Sequence, residues 1–488
     1  MDIRPESLIF DQDGEGTRQH RIKRQVIDGI LSGRFKPGDK MPSSRGLARQ
    51  LGVSRITVTI AYTDLVADDY LVARGRSGYF VSDSAPSAPS LVQACQNGES
   101  IVDWTRLMSH REPPPEEIAR PFDWHSFPYP FIYGQTDPQL FDHRNWRLCA
   151  LEALGLREFE SLTADHYERD DPKLVEYIQR NILPRRGIAA RPNQILITMG
   201  AQNALWLCAQ LLLTQRRKAV LENPGYPSLR QILGATRCHT QSVDVDADGL
   251  APETLPDALD VLFTTVSHQC PTNATMPLAR RKALLSLAAE RGFVVVEDEY
   301  EFELAFGRTA TPSLKSFDTH GTVIYVGSFS KSLFPGLRLG FMVAPHPFIA
   351  EARRLRGTVL RHPPGLIQRT TANFLSRGHF DAQINRMRKA YEVRRRAMET
   401  AIAETGLQVA SQPANGGSSL WMRAPDGVDT DLLARRLRSK GVVIEPGAAF
   451  FDPTRPQRNF YRLAYSSIEV ARIPQGIRLI AAALADLD

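Results

Sequence analysis

The chain has 488 residues, 42% of them apolar and 23% charged, with a formal net charge of +6. That length exceeds one ordinary core, so two or more globular domains are expected. There is no basic start followed by an apolar run, no apolar stretch of spanning length, and the five cysteines (Cys95, Cys149, Cys208, Cys238 and Cys270) are scattered; secretion, membrane spanning, a disulfide framework and a structural zinc or other metal site are disfavoured, and a reducing, cytoplasmic compartment is expected.

Residues 1–15 are polar and acidic and are expected to lie loosely. Ile22, Val26, Ile27, Ile30 and Leu31 then share one face of a helix that ends near Gly33. After a turn-rich link, Ser43 or Ser44 can cap a short helix carrying Leu47, Ala48 and Leu51, closed by Gly52. Ser54 caps a second helix with Val58, Ala61, Tyr62 and Leu65 inward, and two helices joined by a glycine turn form a helix-turn-helix. Its first turn, Ser54-Arg55-Ile56-Thr57, would present Arg55 and Thr57 to a nucleic-acid groove. Residues 70–81 read as two short strands around a basic turn, a wing with Arg74, Arg76 and Gly78 near its tip. Residues 16–82 hold twelve Lys/Arg against five Asp/Glu, a net of +7, so the remainder sums to about −1. That asymmetry suggests a module that meets a polyanion; a solvated basic face is the alternative.

The run from Met41 to Val58, Met-Pro-Ser-Ser-Arg-Gly-Leu-Ala-Arg-Gln-Leu-Gly-Val-Ser-Arg-Ile-Thr-Val, resembles the winged-helix signature of the GntR superfamily, differing at its opening Met. The resemblance implies binding to a double-stranded DNA operator, with Arg45, Arg55 and Thr57 as contacts and Gly78 of the wing approaching the backbone.

Residues 83–121 change character. Ser, Ala and Pro dominate their start and Pro113, Pro114 and Pro115 stiffen their end, so they read as a linker between a domain at 16–82 and another at 122–488. From 122 the pattern alternates. Apolar strand-like runs at 194–198, 218–221, 261–265, 293–296 and 322–326 are separated in several places by helical stretches, including 201–213 and 278–291. That is an α/β domain with a largely parallel sheet covered on both faces, whose ligands sit at the carboxyl ends of strands. The tail from about 370 holds a long basic helix (384–400) and a smaller C-terminal subdomain.

Each strand end carries something chemically specific. Ser328, Ser330 and Lys331 follow the run 322–326, with Arg338 seven residues later among glycines. A lysine delivered into a small-residue turn suits an imine with pyridoxal phosphate, with Ser328, Ser330 and Arg338 as phosphate donors; a surface loop is the bland alternative. Ala201 and Gln202 open a helix whose N–H groups can bind phosphate. Tyr226 can lie over a planar ring. Asp298 can keep a pyridinium nitrogen protonated, with Tyr300 near a phenolate oxygen. Arg462, in a late strand, suits a ligand carboxylate.

In this order the motifs occur in fold-type I aminotransferases, and residues 16–81 with 122–485 resemble the MocR-type regulators, a winged helix joined to an aminotransferase-like body. Phe329-Ser-Lys-Ser-Leu-Phe-Pro335, Glu222-Asn-Pro-Gly-Tyr226 and Ser267-His-Gln269 carry the resemblance. It implies pyridoxal 5'-phosphate bound by Lys331, Asp298, Tyr300, Tyr226, Ser328, Ser330 and Arg338 with the turn at Ala201 and Gln202. Arg462 would hold an effector, and a homodimer would carry exchanged DNA heads. Cys270 stands where the aminotransferases place an asparagine on the ring oxygen, which argues against efficient transamination. The expected function is a transcriptional regulator, not an enzyme, sensing an amino compound by imine exchange at Lys331. An active aminotransferase with an appended DNA-binding head is the competing reading.

Overall fold

The computed structural model describes residues 2–8, 16–86, 102–108, 121–165, 168–304, 312–411 and 416–487. They fall into two compact units, Met1–Glu112 and Pro113–Asp488. The division lies inside 83–121; most of that stretch is outside the described residues, and the described part includes a short helix, Trp104–Met108.

In the first unit three helices, α1 (Arg18–Leu31), α2 (Ser44–Leu51) and α3 (Arg55–Ala67), precede a ribbon of β1 (Leu71–Ala73) and β2 (Tyr79–Val81), paired antiparallel with Leu71 opposite Val81. Each helix starts where a hydroxyl accepts an orphan backbone N–H: Thr17 from His20, Ser43 from Gly46 and Ser54 from Thr57. Val58, Ala61, Tyr62 and Leu65 of α3 are buried against Ile22, Val26 and Ile30 of α1. Leu31, expected on the same face, is exposed where α1 ends. Residues 2–8 are not loose. The Ile3 amide donates to the Lys40 carbonyl at 2.8 Å and Leu8 is buried in the head's core, because a small core has room for one more apolar side chain.

The second unit holds an eight-stranded sheet of β3 (Ile195–Thr198), β4 (Lys218–Asn223), β5 (His239–Asp246), β6 (Gly249–Leu250), β7 (Val261–Thr264), β8 (Val294–Glu299), β9 (Val323–Ser328) and β10 (Gly340–Val343). The order is β3-β10-β9-β8-β7-β4-β5-β6. Pairings from β9 through β8, β7 and β4 to β5 are parallel, while β10 is antiparallel to both neighbours. Two reversals in succession return β3 to the direction of β9, so both end on the same edge. Gly340 pairs with Ser328 on one side and Thr198 on the other. A Cβ there would lie 2.7 Å from the Gly327 carbonyl oxygen and 3.0 Å from Gly200, so a side chain would force apart the backbones that begin the site.

Adjacent residues of β4 serve opposite faces. Leu221 packs in a cluster with Ala204 and Leu205, and Val220 packs with Leu284 and Ala288. Those partners lie on α4 (Ala201–Leu212) and α5 (Leu278–Arg291), the expected helices. Three strands, β5, β6 and β10, escape sequence reasoning for physical reasons. β5 is a mostly exposed polar strand partnered on its outer side by the two-residue β6, so it needs no apolar run. β10 is four residues long and follows a glycine-rich turn.

A long helix, α6 (His379–Thr405), extends beyond the basic stretch expected at 384–400. It leads to an antiparallel sheet of β11 (Gln408–Ser411), β12 (Ser419–Arg423), β13 (Glu445–Pro446) and β14 (Phe460–Ala464), in the order β11-β12-β14-β13. The segment entering the body joins this subdomain: Tyr129–Pro130 pairs parallel with Val442–Val443, and the Ala464 amide donates to the Phe131 carbonyl at 3.1 Å. Tyr133 and Gly134 follow directly. Among the described residues no helix is long and apolar enough to cross a membrane.

Candidate cofactor site and candidate DNA interface

Lys331, Asp298, Tyr300, Tyr226, Ala201, Gln202, Ser328, Ser330, Arg338 and Arg462 all line one cavity of about 460 Å³ in the second unit. The sheet topology accounts for this: β3, β8 and β9 deliver their ends to one edge, and α4 begins there. Arg338 adopts a left-handed backbone (φ 50°, ψ 48°), a conformation that costs a non-glycine residue about 1–2 kcal/mol. Its guanidinium lies against Gly200, at the turn that opens α4 with its outward N–H groups. The Ser330 amide donates to Ser328 Oγ at 3.2 Å, which folds the serine turn onto the same side. Three kinds of anion donor therefore converge: a guanidinium, hydroxyls and helix N-terminal amides.

Asp298, the residue before the end of β8, faces the cavity. Its Oδ1 is sealed from solvent with no hydrogen-bond partner. Burial pushes its carboxyl up to about 7, the charges of Glu222 and Glu299 act in the same direction, and Lys331 opposes them. A sealed acceptor beside a lysine and an anion cradle fits a ring cation, so the residues present suit pyridoxal phosphate. Glu222 is fixed beneath by the hydroxyls of Thr264 and Thr265, each at 2.6 Å. Glu299, on the face of β8 away from Asp298, takes Arg186 Nε at 2.7 Å and the Tyr325 hydroxyl at 2.9 Å.

Lys331 Nζ sits 4.4 Å from the centroid of the Tyr133 ring. A Cβ on Gly134 (φ 82°) would collide with that amine. Tyr300 donates its hydroxyl to the His268 carbonyl at 2.8 Å and meets the Tyr133 ring edge-on. Tyr226 caps the helix Pro227–Gly234 and faces the cavity. Cys270 also faces it, and burial pushes its thiol up to about 12, so it is a neutral wall. Arg462 is buried, stacked between Tyr133 and Phe450, and ion-paired with Glu445.

In the head, Ser54 and Thr57 are occupied with each other. Their hydroxyls are 2.8 Å apart and Ser54 Oγ also accepts the Thr57 amide at 3.1 Å. Arg45 and Arg55 are exposed, and Arg55 Nε reaches Ser44 Oγ at the start of α2 at 3.5 Å. In the wing Arg74 lies 4.8 Å over the Phe80 ring and Arg76 is exposed, while Gly78 has φ 103°.

Residues 18–81 match the bacterial regulatory proteins of the gntR family, and residues 151–477 match aminotransferase class I and II. The chain is 60% identical to the HTH-type transcriptional regulator TauR of Rhodobacter capsulatus, over 99% of this chain and 100% of that one. It is 27% identical to the probable rhizopine catabolism regulatory protein MocR of Rhizobium meliloti, over 99% of this chain and 96% of that one. The chain belongs to the MocR-type transcriptional regulators.

The regulator's body has the aminotransferase fold. The α-aminoadipate aminotransferase LysN of Thermus thermophilus, solved with N-(5'-phosphopyridoxyl)-L-leucine, superposes with a TM-score of 0.66 at 29% identity, over 73% of this chain and 92% of that one. The regulator is pyridoxal phosphate-dependent, and its GntR head binds DNA.

Several contributors to the regulator's site escape sequence reasoning, Phe450 beside Arg462 among them. Tyr133 and Gly134 end an apolar run, a place where glycine signals close approach. Ser228 lies in the first turn of the helix that Pro227 opens after Tyr226, and it faces the same cavity. Glu445 closes the apolar run 442–444, and a charge there needs a buried partner. The last signal says that a partner exists, without saying which.

Proposed function

We propose that the body is a receptor for a small amino compound whose arrival is read out on DNA by the head. The cofactor supplies an aldehyde carbon that forms imines, so an effector amine can take the place of Lys331 by imine exchange. The chain's residues divide the rest of the work. Asp298 would face the ring nitrogen, Tyr226 the ring plane and Tyr300, whose hydroxyl donates to the His268 carbonyl, the ring oxygen. Ser328, Ser330, Arg338 and the amides at Ala201 and Gln202 hold the phosphate. Arg462 faces an acidic group on an effector such as γ-aminobutyrate, taurine or diaminobutyrate. In the head, Arg45, Arg55, Arg74 and Arg76 meet the operator, with Ser54, Thr57 and Gly78 at the same surface.

The reading rests on one observation: a lysine, an enclosed carboxylate and an anion cradle line a single cavity in a chain that also carries a helix-turn-helix. An effector that favours one of two conformations would shift the heads' affinity for DNA by its differential binding. Two copies with exchanged heads acting on two half-sites, in the cytoplasm where the operator is, complete the proposal.

The test is a spectral titration of the holo-protein with candidate amines, run alongside DNA-binding measurements. A shift of the cofactor band together with changed DNA affinity is the expected result. The competing reading, a working aminotransferase, draws on the same cavity. Sustained multiple turnover with an amino donor and a keto acid, with no effect of that donor on DNA binding, would favour it instead.

A further inference from the structure

The outward face of α3 is short of hydrogen-bonding groups. Ser54 and Thr57 are used in the cap. The hydroxyls of Thr59 and Thr63 donate back along the helix, to the carbonyls of Arg55 at 3.0 Å and Thr59 at 2.9 Å. Their bonding capacity is turned inward and their methyl groups remain. Beside them stand Ile56, 70% exposed, and Ile60, 42% exposed. Arg55 supplies a guanidinium at the start of the same face. Exposed isoleucines one turn apart, on a helix whose other face already fills the core, mark a surface built for contact.

The charge around this face selects its partner. Residues 16–82 carry a net of +7, which favours a polyanion. In the major groove of DNA the apolar feature on offer is the C5-methyl group of thymine. Ile56 and Ile60 lie about 6 Å apart along the helix axis, against roughly 3.4 Å per base step.

We infer that α3 reads thymine methyl groups, with Ile56 and Ile60 covering two thymines about two base steps apart beside a guanine held by Arg55. Specificity at these positions then comes from methyl burial and not from hydrogen bonds. The inference rests on the head's binding to DNA and goes beyond it, because it names the base feature recognised.

The test begins by selecting duplexes from a random pool with the full-length holo-protein. Each thymine of the selected half-site is then replaced by deoxyuridine, which removes the methyl group and keeps the pairing. At two positions the affinity should fall about fourfold, the equivalent of the ~0.8 kcal/mol for burying one methyl-sized group. In Ile56→Ala, whose altered side chain is solvent-exposed and outside the core, one of those two losses should vanish. A selected duplex that binds equally well with every thymine replaced would overturn the inference alone. So would an Ile56→Ala protein that keeps both losses. If Ile56→Ala changes only the oligomeric state, the face belongs to a protein contact and the inference fails. If no duplex is enriched, the DNA-binding reading fails with it.

Discussion

Arg462 donates its Nε to Glu445 Oε2 at 2.8 Å, and its Nη2 makes an ion-pair contact with the same oxygen at 2.7 Å. The two residues face each other across β13 and β14, and the guanidinium lies 4.0 Å from the Tyr133 ring centroid and 4.7 Å from that of Phe450. The arginine proposed to meet the effector is therefore already paired with a buried carboxylate. Removing one partner of a buried pair commonly costs about 3–5 kcal/mol, because the other charge is left alone. Glu445→Gln, which keeps an acceptor, should destabilise the body by about 3 kcal/mol in urea unfolding. It should also tighten binding of an acidic effector, because the freed charge seeks a new anion. Unchanged stability and unchanged effector affinity would contradict both roles.

Lys331 meets the Tyr133 ring on one side and the backbone of Gly134 on the other. Gly134→Ala would place a methyl group against the amine and hold alanine at φ 82°, a backbone penalty of about 1–2 kcal/mol. Cofactor loading, followed by its absorption band, should fall much more than overall helicity. Lys331→Ala should lose the lysine-dependent band altogether. A band of normal position and strength in both variants would argue against Lys331 as the attachment point.

Asp298 gives the cofactor-free protein a defined pH response. Its carboxyl is raised from 3.8 to about 7, first by burial and then by Glu222 and Glu299. The folded state therefore keeps a proton that the unfolded chain has released, and stability falls as pH rises between those two values. Above about 7 the penalty is constant. Asp298→Asn cannot ionise, so its margin of stability over the wild type should grow from pH 4 to pH 7 and then level off. Urea titrations of both proteins without cofactor will show whether the margin depends on pH. With cofactor present the order should reverse, because the carboxylate gains its cationic partner.

Arg55 tests whether the two units divide the work. Arg55→Ala should weaken DNA binding by about 1–3 kcal/mol while the cofactor band stays in place. Binding by the wild type should also fall steeply with salt, through counterion release. A variant that lost both DNA and cofactor would refute the division, because Arg55 is an exposed residue of the first unit.

Much of the regulator was legible in its residues. The helix caps Ser43 and Ser54 and the glycine at 52 punctuate the head locally, and the inward face of α3 repeats at helical spacing. Five of the sheet's strands announce themselves as apolar runs because both faces are covered by helices. Ser328, Ser330, Lys331 and Arg338 form one local motif, so their meeting needs little from the rest of the chain.

What the tertiary structure alone decided is how distant pieces pair. Tyr133 and Gly134 reach Lys331 because Tyr129–Pro130 pairs with Val442–Val443, a long-range register that no local period encodes. Glu445 finds Arg462 because two strands of the small sheet lie side by side. The sequence by itself determined the helix caps, the apolar strands and the local motif around Lys331, since propensity, capping and motif spacing act over a few positions. The fold decided which of those charges are free and which are spent on each other, since burial forces each one to pair with whatever the topology brings within reach.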